Sequence, residues 1–225
     1  MVRIGLVFCM SLSCILYFTL KKAPENLSAT VSCPPNELTL RLDLSKETKS
    51  VQQKLCQLGW NGGDYVVIVP GARWWTKEWP VEHYVALAKK LVDAGTSVVL
   101  AGGPDDASKG KAIAEQCDSA LVLDMTGKTS LRELAALIKN CSFYISADTG
   151  PLHFAAALKK PLVAMYGPTK ADRTGPYGSN NSTVLLSPAK CAGCLKKKCA
   201  DWHCMHDITP EMVYEIYRNK VKAHG

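Results

Sequence analysis

From Tyr65 onward, short apolar runs alternate with longer segments whose apolar positions recur every three or four residues. Tyr65–Val69 (YVVIV) is a continuous, mostly β-branched run, which predicts a strand buried on both faces. An amphipathic helix is predicted over Val81–Ala94, stopped by Gly95, followed by a strand over Ser97–Ala101 (SVVLA). The loop Gly102–Asp106 then leads into a helix ending near Cys117, and Ala120–Leu123 reads as a short strand. Ser130 and Glu133 have the spacing of a capping box, predicting a helix that reaches Asn140. A strand over Phe143–Ser146, a tight turn at Asp148-Thr149-Gly150 and a helix beginning at Pro151 come next. Pro161–Tyr166 and Thr183–Leu186 supply the last strands, and Thr209 caps a closing helix from Pro210 to about Val221.

The part before Tyr65 follows a different rhythm. Leu38, Leu40, Leu42 and Leu44 alternate with polar residues, the period of a half-buried strand. Ser45 opens a polar helix to Leu58, with Gly59 as its stop, and Asn61-Gly62-Gly63 forms a turn. Strands alternating with helices at this spacing predict an α/β fold, a doubly wound parallel sheet of the Rossmann-like kind. Ligands of such sheets bind at the carboxyl ends of the strands, and every chemically rich loop of this chain follows a strand.

Residues 4–20 are apolar without a single charge, flanked by Arg3 and by Lys21-Lys22. This length lies between a signal-peptide core and the ~20 residues of a spanning helix. A signal anchor, an uncleaved signal and the remnant of a preceding lobe all fit the pattern. The chain therefore divides into an apolar leader, residues 1–37, and a Rossmann-like domain, residues 38–225. At ~150 residues per domain, 225 residues correspond to about one and a half domains.

Composition narrows the functional classes. Hydrophobic residues make up 47% and charged residues 21%, enough apolar content to exclude intrinsic disorder. The net charge of +7 suits an anionic partner. Lys196-Lys197-Lys198 is the longest basic run, and no arginine-rich stretch interleaves with aromatics, so nucleic acid is not an expected partner. Ten cysteines are present, four of them between Cys191 and Cys204, which reads as a reduced cytosolic protein with one local cluster.

Three loops carry candidate chemistry. The first, Pro70 to Pro80 (PGARWWTKEWP), offers cations, a hydroxyl and a glycine before a helix N-terminus, which suits a diphosphate. The same residues equally describe a surface loop whose tryptophans pack on the domain. The second, Gly102-Gly103-Pro104-Asp105-Asp106, lacks the G-x-G-x-x-G fingerprint. Its carboxylates suit either a ribose contact or the N-cap of the next helix. The third runs from Ser146 to His153 (SADTGPLH), where a glycine turn opens a helix whose free N–H groups and dipole favour phosphate. Asp-Thr-Gly also occurs in aspartic proteases, but an all-β frame is missing here. Gly167-Pro168-Thr169 and Arg173-Thr174-Gly175-Pro176 follow the next strand.

Taken together, PGARWWTKEWP, AGGPDD, SADTGPLHFAAAL, PLVAMYGPT and RTGPYG resemble the bacterial lipopolysaccharide heptosyltransferases, glycosyltransferase family nine, over residues 38–221. The resemblance implies the C-terminal, nucleotide-sugar-binding lobe of a two-lobed GT-B glycosyltransferase. It implies an ADP-activated heptose as donor, transferred with inversion and without an obligatory metal, and a lipopolysaccharide core acceptor. Lys77 would neutralise the leaving diphosphate and Thr76 would hydrogen-bond it. Asp105 stands where an acidic residue contacts the nucleotide ribose, and Asp148, Thr149, Gly150 and His153 would line the sugar-diphosphate pocket. A cytoplasmic protein at the inner membrane face is expected, with membrane-surface association.

The family's first lobe, which carries the general base, finds no counterpart in residues 1–37, so no catalytic residue is assigned. A separate N-terminal lobe is an expected partner. The alternative is a non-catalytic nucleotide-sugar-binding module or an inactive fragment. Cys191-x2-Cys194-x4-Cys199-x4-Cys204 has a spacing that suits structural zinc, an iron–sulfur cluster or disulfides. By the resemblance it would be a knot that ties down the closing helix.

Overall fold

The computed structural model describes residues 42–222. The apolar segment 4–20 lies outside them, as does most of the strand expected over Leu38–Leu44; Leu42, Asp43 and Leu44 are described and are not in a strand. The elements follow the expected order. They are α1 (Ser45–Gln57), β1 (Tyr65–Val69), α2 (Val81–Asp93), β2 (Ser97–Leu100), α3 (Ala107–Cys117), β3 (Val122–Asp124) and α4 (Leu131–Asn140). After these come β4 (Phe143–Ala147), α5 (Gly150–Ala157), β5 (Leu162–Tyr166), α6 (Ala171–Thr174), β6 (Ser182–Leu186), α7 (His203–His206) and α8 (Pro210–Lys222).

The six strands form one sheet in the order β3-β2-β1-β4-β5-β6, every pairing parallel. The chain builds outward from β1 through β2 to β3, then crosses back to lay β4, β5 and β6 on the other side of β1, which makes the gap between the carboxyl ends of β1 and β4 the topological switch point. The alternation inside each strand explains its apolar run. Tyr65, Val67 and Val69 face the layer holding α1, α4 and α5, while Val66 and Ile68 face the layer holding α2, α3 and α8. Burial on both faces requires apolar residues at every position, and all five residues of β1 are buried.

The local signals act as read. Ser130 Oγ accepts the Glu133 N–H at 3.2 Å, and Glu133 Oε2 accepts the Ser130 N–H at 2.8 Å, a reciprocal capping box. Thr209 Oγ1 accepts the Met212 N–H at the start of α8. Gly59 and Gly95 end α1 and α2 at φ of 93° and 77°, a backbone that favours glycine. The four-residue helices α6 and α7 were not anticipated, because a single turn is too short to show a period.

Glu133 also ties α4 to α1. Its carboxylate accepts from Lys54 Nζ at 2.8 Å and from Ser50 Oγ at 2.7 Å. These bonds, with the capping bond, hold its carboxyl down at about 2, against an ordinary value of 4.5. A carboxyl lowered by folding contributes stability that is present above its unfolded value and is lost as pH falls through its folded value. Unfolding free energy is therefore expected to fall between pH ~4.5 and ~2. Glu133→Gln is expected to cost about 1–2 kcal/mol at neutral pH and to flatten this acid limb. Denaturant titrations of both proteins across that window would measure it; parallel curves would refute the assignment.

Candidate functional site

The site forms where the loops after β1 and β4 meet. The β1 loop makes a 3-10 turn at Trp75–Lys77 before α2. Trp79 anchors it: its ring is buried, its Nε1 donates to the Ile208 carbonyl at 2.7 Å, and it packs edge-on against Tyr84 at 4.8 Å. Lys109 Nζ reaches Glu78 at 2.8 Å and fastens the same loop to α3. With the loop so held, Lys77 Nζ lies 3.3 Å from Asp148 Oδ2. Asp148 follows β4 directly and is buried, and its Oδ2 also accepts from Thr174 Oγ1 at 3.2 Å. Two loops separated by 71 residues thus converge in one partly buried ion pair.

Helix α5 starts immediately after Asp148. Its N-cap, Thr149, is extended and makes no side-chain cap, and Pro151 contributes no N–H. The first-turn N–H groups and the positive dipole end thus face the carboxyl side of the sheet without a side-chain cap. Gly150 and His153 are half-buried. Burial lowers the basicity of the His153 imidazole first, with the Asp148 carboxylate opposing this and the Lys77 ammonium adding to it. The ring is therefore neutral at pH 7 and can both donate and accept a hydrogen bond. The structure places Lys77, Asp148, Thr149, Gly150 and His153 around the start of α5.

Two of the expected residues are placed otherwise. Thr76 is buried, and its hydroxyl donates to the Lys196 carbonyl at 3.0 Å, so its proton is spent on the cysteine loop. Asp105 is exposed on the 3-10 turn Pro104–Asp106 after β2. Its neighbour Asp106 is the N-cap residue of α3 but makes no side-chain cap there; its Oδ2 instead accepts the Gly103 N–H at 2.9 Å and braces the 3-10 turn. Asp106 lies so close over Gly71 and Gly102 that a Cβ on either would collide with its carboxylate. Those two glycines therefore let the β1 and β2 loops touch.

The cysteine loop is a wall of this site. Gly193 N–H donates to the Gly167 carbonyl at 2.9 Å and Leu195 N–H to the Pro168 carbonyl at 2.7 Å, which zips the loop to the end of β5. The Trp202 indole donates to the Thr76 carbonyl at 2.9 Å, tying it to the β1 loop as well. The four cysteines are free thiols. Among the described residues, no group of three or more His, Cys, Asp or Glu side chains is placed to hold a metal ion. Cys199 Sγ donates to the Asp201 carbonyl at 2.9 Å, and Cys191 Sγ lies 3.7 Å from His203 Nε2. Burial, then the nearby thiols of Cys191, Cys194 and Cys199, push the Cys204 thiol up to about 11, so it stays protonated. Backbone hydrogen bonds hold the loop in place. No helix among the described residues is long and apolar enough to cross a membrane.

Sequence reasoning missed Thr174, Trp74 and Trp202 as site-building residues. Thr174 lay within a motif without a role, Trp74 was read only as a packing residue of its loop, and Trp202 was not singled out. Their partners are 26 and 126 residues away in the chain.

Comparison with known proteins places the fold and the family. The family model for glycosyltransferase family 9 (heptosyltransferase) matches residues 19–204. Lipooligosaccharide heptosyltransferase 2 of Haemophilus influenzae is 36% identical over 152 residues, covering 65% of this chain and 44% of that protein. The chain thus spans less than half the length of that relative. The solved structure of Escherichia coli ADP-heptose lps heptosyltransferase II superposes with a TM-score of 0.67 at 30% identity, covering 83% of this chain and 54% of that one. E. coli heptosyltransferase WaaC, solved with ADP, gives a TM-score of 0.60 at 27% identity, covering 76% and 48%. With its parallel sheet, its switch-point ion pair and a family match over most of its length, the chain belongs to glycosyltransferase family 9, the heptosyltransferase family.

Proposed function

We propose that this chain binds an ADP-activated heptose and acts as the donor side of an enzyme that transfers the sugar to a lipopolysaccharide core. One observation carries the reading: the Lys77–Asp148 pair at the switch point, beside the open N-terminus of α5. A diphosphate placed there meets an ammonium on one side and a helix dipole on the other. As the glycosidic bond breaks, negative charge grows on the departing ADP, and preorganised positive charge stabilises it without reorganisation. Neutral His153 supplies a hydrogen bond to a sugar or phosphate oxygen, and Asp148 holds Lys77 in place. Asp105, exposed after β2, is assigned the ribose hydroxyls, and Thr76 the positioning of the cysteine loop.

The relatives' names and the structure solved with ADP support adenine and heptose as the donor's parts. Acceptor contacts are assigned to a second lobe, on the same polypeptide or a partner, and the site of action to the cytoplasmic face of the inner membrane. The test is thermal unfolding of the chain with millimolar ADP, GDP and UDP. ADP at 100 times its Kd is expected to stabilise by about 2.7 kcal/mol, several degrees in Tm. No shift with ADP would overturn the donor site. Sugar transfer by the purified chain would exclude the non-catalytic alternative.

A further inference from the structure

The structure carries the basic run Lys196-Lys197-Lys198 to the edge of the site. Its anchor points are specific. Leu195, directly before the run, has φ of 60°, an uncommon conformation for a branched residue, and is held there by its bond to Pro168. Lys196 receives the Thr76 hydroxyl through its carbonyl. Lys197 Nζ then lies 4.9 Å from the centre of the Trp74 ring, and Lys77 Nζ lies 5.1 Å from the same ring. Two ammonium groups thus lie over the same ring, Lys77 from the β1 loop and Lys197 from the cysteine loop.

Their charge balance differs. Lys77 is matched by Asp148, so that pair is close to neutral as a unit. Lys197 makes no ion pair with a carboxylate among the described residues. Like charges gathered about one ring repel each other, and cation–π attraction at an exposed site returns only about 0.5–1 kcal/mol. A bound anion would relieve that repulsion. Thr169, in the loop to which Leu195 is zipped, is also buried, and its hydroxyl has no hydrogen-bond partner among the described residues.

We propose that the cysteine loop forms a second phosphate-binding wall, in which Lys197, steered by Trp74, takes a phosphate oxyanion opposite Lys77. This rests on the donor reading above and adds a residue and a ligand contact to it. The phosphate belongs either to the donor diphosphate or to a phosphomonoester on the acceptor, and the chemistry of recognition is the same for both.

Calorimetric titration of the full chain separates these sources. Wild type, Lys197→Gln and Lys197→Arg are titrated with ADP, then with glucose 6-phosphate as a phosphomonoester, in the absence and presence of saturating ADP. Because Lys197 is exposed, all three are expected to unfold at the same temperature. If the donor is the source, Lys197→Gln weakens ADP about five- to tenfold and Lys197→Arg restores it. If the acceptor is the source, ADP affinity is unchanged and glucose 6-phosphate affinity falls by a similar factor. Wild-type affinity of Lys197→Gln for both ligands overturns the proposal, whatever Lys77 does. Should wild type bind no ADP, the donor reading fails, and the phosphomonoester titration alone decides for or against Lys197.

Discussion

Lys77→Ala is expected to weaken ADP binding on the order of 100-fold, the largest functional effect of any single change in this site. Two losses combine. The diphosphate loses its charged donor, and the Asp148 carboxylate, 5% exposed, is left without its cation beside an incoming anion. Removing one partner of a buried pair costs more than the pair itself is worth, because the remaining charge stays desolvated. The double variant Lys77→Ala/Asp148→Asn separates the two losses: it is expected to recover part of the affinity by removing the stranded carboxylate. Calorimetry with ADP measures both. Unchanged affinity in Lys77→Ala would remove this residue from the site, and additivity in the double variant would deny the coupling.

The largest stability effect is expected at Trp79. Its side chain is 1% exposed, edge-on to Tyr84 and hydrogen-bonded to Ile208 across 129 residues of chain. Trp79→Ala empties that volume and removes one of the two bonds to the Ile208 carbonyl, leaving His83 Nδ1 at 3.2 Å, at a cost of about 3–5 kcal/mol. For a domain of this size that lowers Tm by roughly 10 °C. Trp79→Phe keeps most of the volume and the ring contact while losing the N–H, and is expected to cost only about 1–2 kcal/mol. Guanidinium titrations would rank them. Equal midpoints for wild type and Trp79→Ala would show that the β1 loop is anchored by something else. Because Trp79 lies two residues from Lys77, Trp79→Ala is also expected to weaken ADP, whereas Trp79→Phe leaves it near wild type.

Much of this fold was legible because its signals are local. The YVVIV run, the Ser130–Glu133 box, the Thr209 cap and the glycine stops after α1 and α2 each depend on residues within one or two turns. The site was legible at the level of loops. Strand-end placement singled out the segments holding Lys77 and Asp148; within the PGARWWTKEWP loop Trp79 packs in the core while Lys77 pairs with Asp148. Roles within loops were less legible. Asp106 turns back onto the Gly103 N–H while Asp105 is exposed, and the Thr76 hydroxyl donates to a carbonyl 120 residues away. Neighbours in sequence differ in direction by one backbone step, and spacing does not encode that step outside regular structure.

The sequence by itself determined the alternation of strands and helices, the family, and which loops lie at strand carboxyl ends, since periodicity and motifs are carried by adjacent residues. Only the tertiary structure decided what those loops do to one another. It set Lys77 against Asp148, turned the cysteine loop into a wall of the crevice, and brought Lys197 to the ring that Lys77 also approaches. The reason is the strand order: placing β1 beside β4 and β4 beside β5 brings together chain ends that lie far apart in sequence, and side-chain chemistry at their meeting point has no local precursor.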